Sequence, residues 1–114
     1  MKLFLVAALV AAVMVPAAAA VGPTVLNGQD GPGFNITLTK GGKKVTTLTP
    51  GTYIFKIADR SNIHNFHQTG PGVDKKTDVS YTGQQSWTVR LRKGTYRYVC
   101  DPHKAFMKGS FTVS

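Results

Sequence analysis

Beyond residue 33 the chain alternates apolar and polar positions in short bursts, each closed by glycine or proline. Phe34 to Lys40 sets Phe, Ile and Leu against Asn and Thr, a period of two that predicts a strand. Gly41-Gly42 follows as a hairpin turn, with Lys43 to Leu48 as the returning strand. Pro50-Gly51 turns the chain again, and Thr52 to Ala58 puts Tyr53, Phe55 and Ile57 on one face. Gln85 to Leu91 sets Trp87, Val89 and Leu91 against Thr88, Arg90 and Arg92. Lys93-Gly94 turns into Thr95 to Cys100, and Phe111 to Val113 closes the series. Gly70 to Asp78 is polar and rich in Gly and Pro, which predicts a long surface connection. No apolar spacing suits a helix of useful length in this region. Strands at this spacing imply an all-β sandwich or barrel.

The first twenty residues follow another pattern. Lys2 gives a positive start, Leu3 to Val15 is almost wholly apolar, Pro16 breaks the run, and Ala17 to Ala20 are small. That order predicts a secretory leader at 1–20, cut before Val21, with cleavage after Ala19 as the neighbouring choice. The apolar run is short of the ~20 residues that cross a bilayer; a retained anchor helix is the alternative. One domain, residues 21–114, remains. No integral membrane segment is expected in it once the leader is gone, and it is expected in a periplasm, a cell-envelope space or the medium.

Losing Lys2 takes one charge from the formal +9, leaving +8, and all five acidic residues are Asp. Such a charge favours acidic partners. The basic residues are scattered and the leader predicts export, so nucleic acid is not the expected partner.

An exported chain usually pairs its cysteines. Here there is one, Cys100, so it is a buried thiol, a reactive group, half of an intermolecular bridge or a metal ligand. Its neighbours favour the last. Cys100, His103 and Met107 follow in the order Cys-x2-His-x3-Met, where a strand ends and Asp101-Pro102 favours a turn. A turn can bring all three round one point. The remaining histidines are His64 and His67, three apart, which point opposite ways on an extended chain. His64 is the better placed, because Asn65 beside it can hydrogen-bond across to the ligand loop; His67 is the alternative. A structural zinc site wants four Cys or His, and thioether sulfur suits reduced copper instead. Two imidazoles, one thiolate and a weak axial Met form the set used for blue-copper electron transfer. A Cys-His nucleophile would leave the Met without a role, and three histidines are too few for a multicopper enzyme, so no enzymatic activity is expected.

His64-Asn65, and the run Gly94-Thr95-Tyr96-Arg97-Tyr98-Val99-Cys100-Asp101-Pro102-His103, resemble the cupredoxins, in particular their plastocyanin, amicyanin and pseudoazurin branch. The resemblance implies a Greek-key sandwich of about seven to eight strands with one type 1 copper near one end. It carries the metal ligands onto His64, Cys100, His103 and Met107. It departs in loop length: three residues separate His103 from Met107, more than in the amicyanin loop and fewer than in the plastocyanin loop. The implied role is to carry single electrons; copper delivery or storage with the same ligands is the alternative. Family members pass electrons through the exposed edge of the histidine that matches His103. The expected partner is therefore an acidic redox protein, such as a cytochrome or an oxidase, docking near His103 and Phe106 on a monomer. Pro102 and Ala105 would complete the apolar patch.

Overall fold

The computed structural model describes residues 22–114, and the leader predicted at 1–20 lies outside them. Among the described residues ten strands form two five-stranded sheets packed face to face. In chain order they are β1 (Thr24–Asp30), β2 (Ile36–Lys40), β3 (Lys43–Lys44), β4 (Thr47–Leu48), β5 (Gly51–Asp59), β6 (His67–Gly70), β7 (Val73–Lys76), β8 (Gly83–Leu91), β9 (Gly94–Val99) and β10 (Lys108–Val113). The first sheet runs β3-β2-β1-β5-β8 and the second β4-β10-β9-β6-β7. Sequence neighbours are thus often not sheet neighbours: β1 pairs parallel with β5, and β4 parallel with β10. The fold is the cupredoxin-like sandwich.

The alternation of side chains places the core. Leu26, Leu38, Phe55, Ile57 and Leu91 from one sheet meet Tyr96, Tyr98, Phe111 and Val113 from the other, all buried. Trp87 is only partly buried and packs at the edge of this cluster. Two stacked aromatic pairs, Phe66 on Tyr98 and Tyr96 on Phe111, fill its middle. The Tyr96 hydroxyl donates to the Arg92 carbonyl at 2.8 Å, so this buried polar tip is satisfied.

Three segments differ from the sequence expectation, and each raises the strand count above seven to eight. Thr24 to Asp30, where Asn, Gly and Gln interrupt the apolar positions and hide the period, is the third strand of the first sheet. Lys43 to Leu48 is not one strand: β3 pairs with β2 in the first sheet and β4 with β10 in the second. Val45 is buried where the chain crosses between them. Gly70 to Asp78 is not a surface connection but carries the β6–β7 hairpin, with Gly70 facing Val73 across its tip. Gly72 sits there at φ 70°, a left-handed conformation that glycine adopts without steric cost. β7 is polar because it is an edge strand, with Asp74, Lys75 and Lys76 all exposed.

Candidate metal centre

The site forms at one end of the sandwich, where β9 and β10 are joined by a tight loop. Cys100 directly follows β9, and Asp101–His103 forms a single 3-10 turn with Pro102 near its start. The loop is closed by its own backbone. Cys100 N–H donates to the Met107 carbonyl at 3.0 Å, and His103 N–H to the Cys100 carbonyl at 3.0 Å. Met107 N–H donates to the His103 carbonyl at 2.9 Å. These bonds fix the Cys-x2-His-x3-Met spacing as one compact turn.

His64 comes from the connection between β5 and β6. Its backbone N–H bonds the Ser61 carbonyl at 3.4 Å. Gly31 packs close above it. A side chain there would bring its Cβ 2.9 Å from the Ser61 Cβ and 3.4 Å from His64 Cδ2, at a φ of +67°. The positive φ and the close approach to Ser61 favour glycine in this turn beside His64.

Three donor atoms converge. His64 Nδ1 lies 3.1 Å from His103 Nδ1, and Cys100 Sγ lies 3.7 Å from the first and 3.5 Å from the second. All the ligand atoms of His64, Cys100 and His103 fall within 4.8 Å of one another. His64 and Cys100 are fully buried, and His103 is partly exposed. The Nε2 of His64 is buried without a partner, so the ring's polar contacts among the described residues are all across this site. Met107 is buried at the end of the same loop. Two imidazole nitrogens and a thiol sulfur facing one point fit a soft or borderline metal, which would replace the contacts these three atoms make with one another.

His67 lies elsewhere. Its Nδ1 is 2.8 Å from Asp101 Oδ1 and its Nε2 is 2.6 Å from Asp74 Oδ1, so neither nitrogen is turned to the site. Burial opposes the charge on His67, but the two carboxylates outweigh it and the ring titrates above the ordinary histidine range. Asn65 makes the cross-link that its position suggested. Its Nδ2 donates to Asp101 Oδ2 at 2.8 Å and to the Thr77 carbonyl at 3.2 Å, while its Oδ1 accepts from the Asp101 N–H at 2.7 Å. Burial raises the Asp101 carboxyl, but hydrogen bonds from His67 and Asn65 and the nearby charges of His67 and Lys76 hold it below the usual aspartate value.

Phe34, which the alternation places at the start of a strand, lies upstream of β2. It is 61% exposed and stands with its ring centroid 5.0 Å from those of both His64 and His103 and 5.9 Å from that of Phe106. Phe106 is 60% exposed and 5.6 Å from His103. The missed signal was Gly31-Pro32-Gly33, which marks a bend before the strand.

Residues 17–114 match the family model for copper-binding proteins of the plastocyanin/azurin family. The chain belongs to that family. Copper is accordingly its metal, and the centre at the β9–β10 loop has the donor types that copper requires. Amicyanin-alpha of Methylorubrum extorquens is 42% identical over 53 residues, which is 44% of this chain and 44% of that protein. The match thus spans less than half of that relative's length. Among solved structures, rusticyanin from Thiobacillus ferrooxidans superposes with a TM-score of 0.54 at 24% identity, covering 79% of this chain and 76% of that one. Auracyanin from Roseiflexus castenholzii gives a TM-score of 0.51 at 22% identity, covering 82% of this chain and 99% of that one. These likenesses support the sandwich fold. Among the described residues no helix is long and apolar enough to cross a membrane.

Proposed function

We propose that this chain is an exported carrier of single electrons, with copper that His64, Cys100 and His103 would hold and Met107 as a weak fourth donor. The observation that carries the reading is the convergence of two Nδ1 atoms and one Sγ at the buried end of a self-closed loop. Copper would supply the redox couple, Cu(I) and Cu(II). The residues supply its frame. The backbone bonds from Cys100 to Met107 and the Asn65 bridge hold three of the donors in one rigid turn. A frame that does not relax with charge keeps the reorganisation accompanying electron transfer small. Mixed sulfur and nitrogen donors suit both oxidation states.

The partly exposed His103 is the exit. Phe34 and Phe106 flank it, and Pro102 and Ala105 are exposed on the same loop. This apolar rim is the contact for an acidic redox partner, and the net positive charge draws that partner in from a distance. The leader of residues 1–20 would deliver the domain of residues 21–114 to a periplasm, envelope space or medium. A cysteine committed to a metal is not free as a nucleophile, which is why the role is carriage rather than catalysis.

Titration of the purified protein with Cu(II), followed by visible absorption, tests the reading. One equivalent should produce an intense charge-transfer band that reduction bleaches and reoxidation restores. Challenge with a strong chelator separates carriage from delivery. A carrier keeps its metal through both oxidation states, whereas rapid loss of Cu(I) would support copper handling. A protein that binds copper without the thiolate band would sink the ligand assignment.

A further inference from the structure

Outside the ligand set, the best-defined polar cluster is the one around His67. The ring bridges two carboxylates on separate elements: Asp74 on the β6–β7 hairpin and Asp101 on the ligand loop. Ionised carboxylate oxygens only accept hydrogen bonds, so both His67 nitrogens must donate and the ring carries a positive charge. The second oxygen of Asp101 and its backbone N–H are both taken by Asn65. Asp101 therefore has each of these polar groups fixed, one oxygen by His67 and the rest by Asn65. The residue next to it in the chain is Cys100, and His103 follows two positions on. β6 also pairs with β9, with His67 opposite Val99, so the strut stands one residue from the thiol.

Building on the copper reading above, we propose that His67 is a positioning residue for the ligand loop, acting through Asp101. It orients the Asp101 carboxylate and neutralises it beside the copper site. Charge-assisted bonds at both ring nitrogens make the strut stiffer than Asn65 alone would be. An unpaired carboxylate beside Cys100 would favour the more positive oxidation state, so neutralising it favours the reduced one.

The test is a double-mutant cycle of His67→Ala and Asp101→Ala, with His67→Gln as the variant that keeps one donor. In copper-free protein, the amide protons of residues 101 and 103 should exchange about tenfold faster in His67→Ala, while core amides in β5 and β8 keep their rates. With Cu(II) bound, the charge-transfer band should persist and the reduction potential should fall. His67→Gln should lie between. In the Asp101→Ala background, replacing His67 should change exchange and potential little. Unchanged exchange and potential in His67→Ala would overturn the proposal. So would shifts of equal size in both backgrounds, which would make His67 a general stabiliser of the hairpin. A wild-type protein that stays colourless with Cu(II) counts against the copper reading alone, and the exchange arm then decides the role of His67.

Discussion

His64 and His67 stand three residues apart, yet their chemical settings are opposite. His64 faces inward, fully buried, with one nitrogen unpartnered and the other turned toward a second histidine and a thiol. His67 faces outward, with both nitrogens bound to carboxylates. The inner side of the ligand loop is a set of donors whose side-chain partners are one another. The outer side is a set that the protein satisfies completely. Buried polar atoms without partners are costly. At the ligand loop the two Nδ1 atoms and the Sγ, turned only toward one another, are the groups that a metal would complete. The outer network gives the inner one its rigidity, because Asn65 and Asp101 connect the two.

The largest effect should come from the inner side. Cys100→Ser replaces a thiolate with a hydroxyl that cannot give the same charge transfer, so the visible band should vanish while the sandwich stays folded. His64→Gly should open a position that added imidazole refills, restoring the band. His67→Ala should leave the band in place. Absorption spectra of the three copper-loaded variants check this. A blue Cys100→Ser protein, or a band lost in His67→Ala and kept in His64→Gly, would reverse the comparison.

The same reasoning applies to a second inward-facing pair. Asp30 and Asp59 are opposite one another in the parallel β1–β5 pairing, and both are buried. Both oxygens of Asp30 and one of Asp59 lack partners, the other Asp59 oxygen accepting from Ser61 N–H at 3.3 Å. Here the completing species is a proton. Burial, then the neighbouring Asp59 carboxyl, pushes the Asp30 carboxyl from 3.8 up to about 8. The folded state therefore holds a proton that the unfolded chain has already lost. Below pH ~4 both states are protonated and Asp30 has no effect on the balance. As pH rises from there through 8 the folded state is progressively penalised, and above that the penalty is constant. Asp30→Asn should flatten this slope and stabilise the copper-free protein at pH 9 by at least about 2 kcal/mol. Urea unfolding of both proteins between pH 5 and 9 measures it. Parallel curves for the two would show that the pair does not hold the proton.

Met107 sharpens the inner side further. Replacing it with Leu removes a soft donor that helps Cu(I), but it also removes electron density and makes the site more apolar, which disfavours Cu(II). The second effect should win, so Met107→Leu should stay blue and its reduction potential should rise. Voltammetry on the two proteins decides it, and a colourless variant would mean that Met107 does more than tune.

What is legible in the sequence follows the same division. The inner donors are legible because their chemistry is rare: packing alone seldom gathers a lone Cys, a His and a Met at short spacing on a turn. The strands of the core are legible where apolar residues alternate without interruption, as in Tyr53, Phe55 and Ile57. β1 is not, because Gly28 occupies an inward position with no side chain to show the period. The split of Lys43 to Leu48 is hidden because Val45, the crossing residue, looks like any strand residue. The outer network is half legible: Asn65 shows its role by adjacency, whereas His67 and Asp74 depend on a hairpin whose strands are polar. Phe34 continues the inward period of β2 beyond the end of the sheet, so alternation alone assigns it to the strand.

The smallest effect concerns that rim. Phe34 and Phe106 are large, apolar and mostly exposed beside His103, where folding gives no reason to place them. A contact patch of two rings and two small residues permits brief docking, which a carrier needs for turnover. Phe106→Glu should leave the copper spectrum intact and weaken docking, because it places a charge in the patch and removes no donor. Phe34→Glu should do the same, and the pair should add less than the sum of the single changes if both rings meet one partner surface. The net positive charge acts at longer range and is screened beyond about 8 Å at physiological salt. Association with an acidic acceptor should therefore slow steeply as ionic strength rises, while dissociation changes little. Stopped-flow mixing of reduced protein with candidate acceptors, at several salt concentrations and for each variant, separates the two contributions. Salt should act on the association rate in every variant, and the phenylalanine changes should act mainly on dissociation. A salt-independent rate would mean that the charge serves attachment to an anionic envelope instead, and an unaltered dissociation rate in both Phe variants would place the docking surface away from His103.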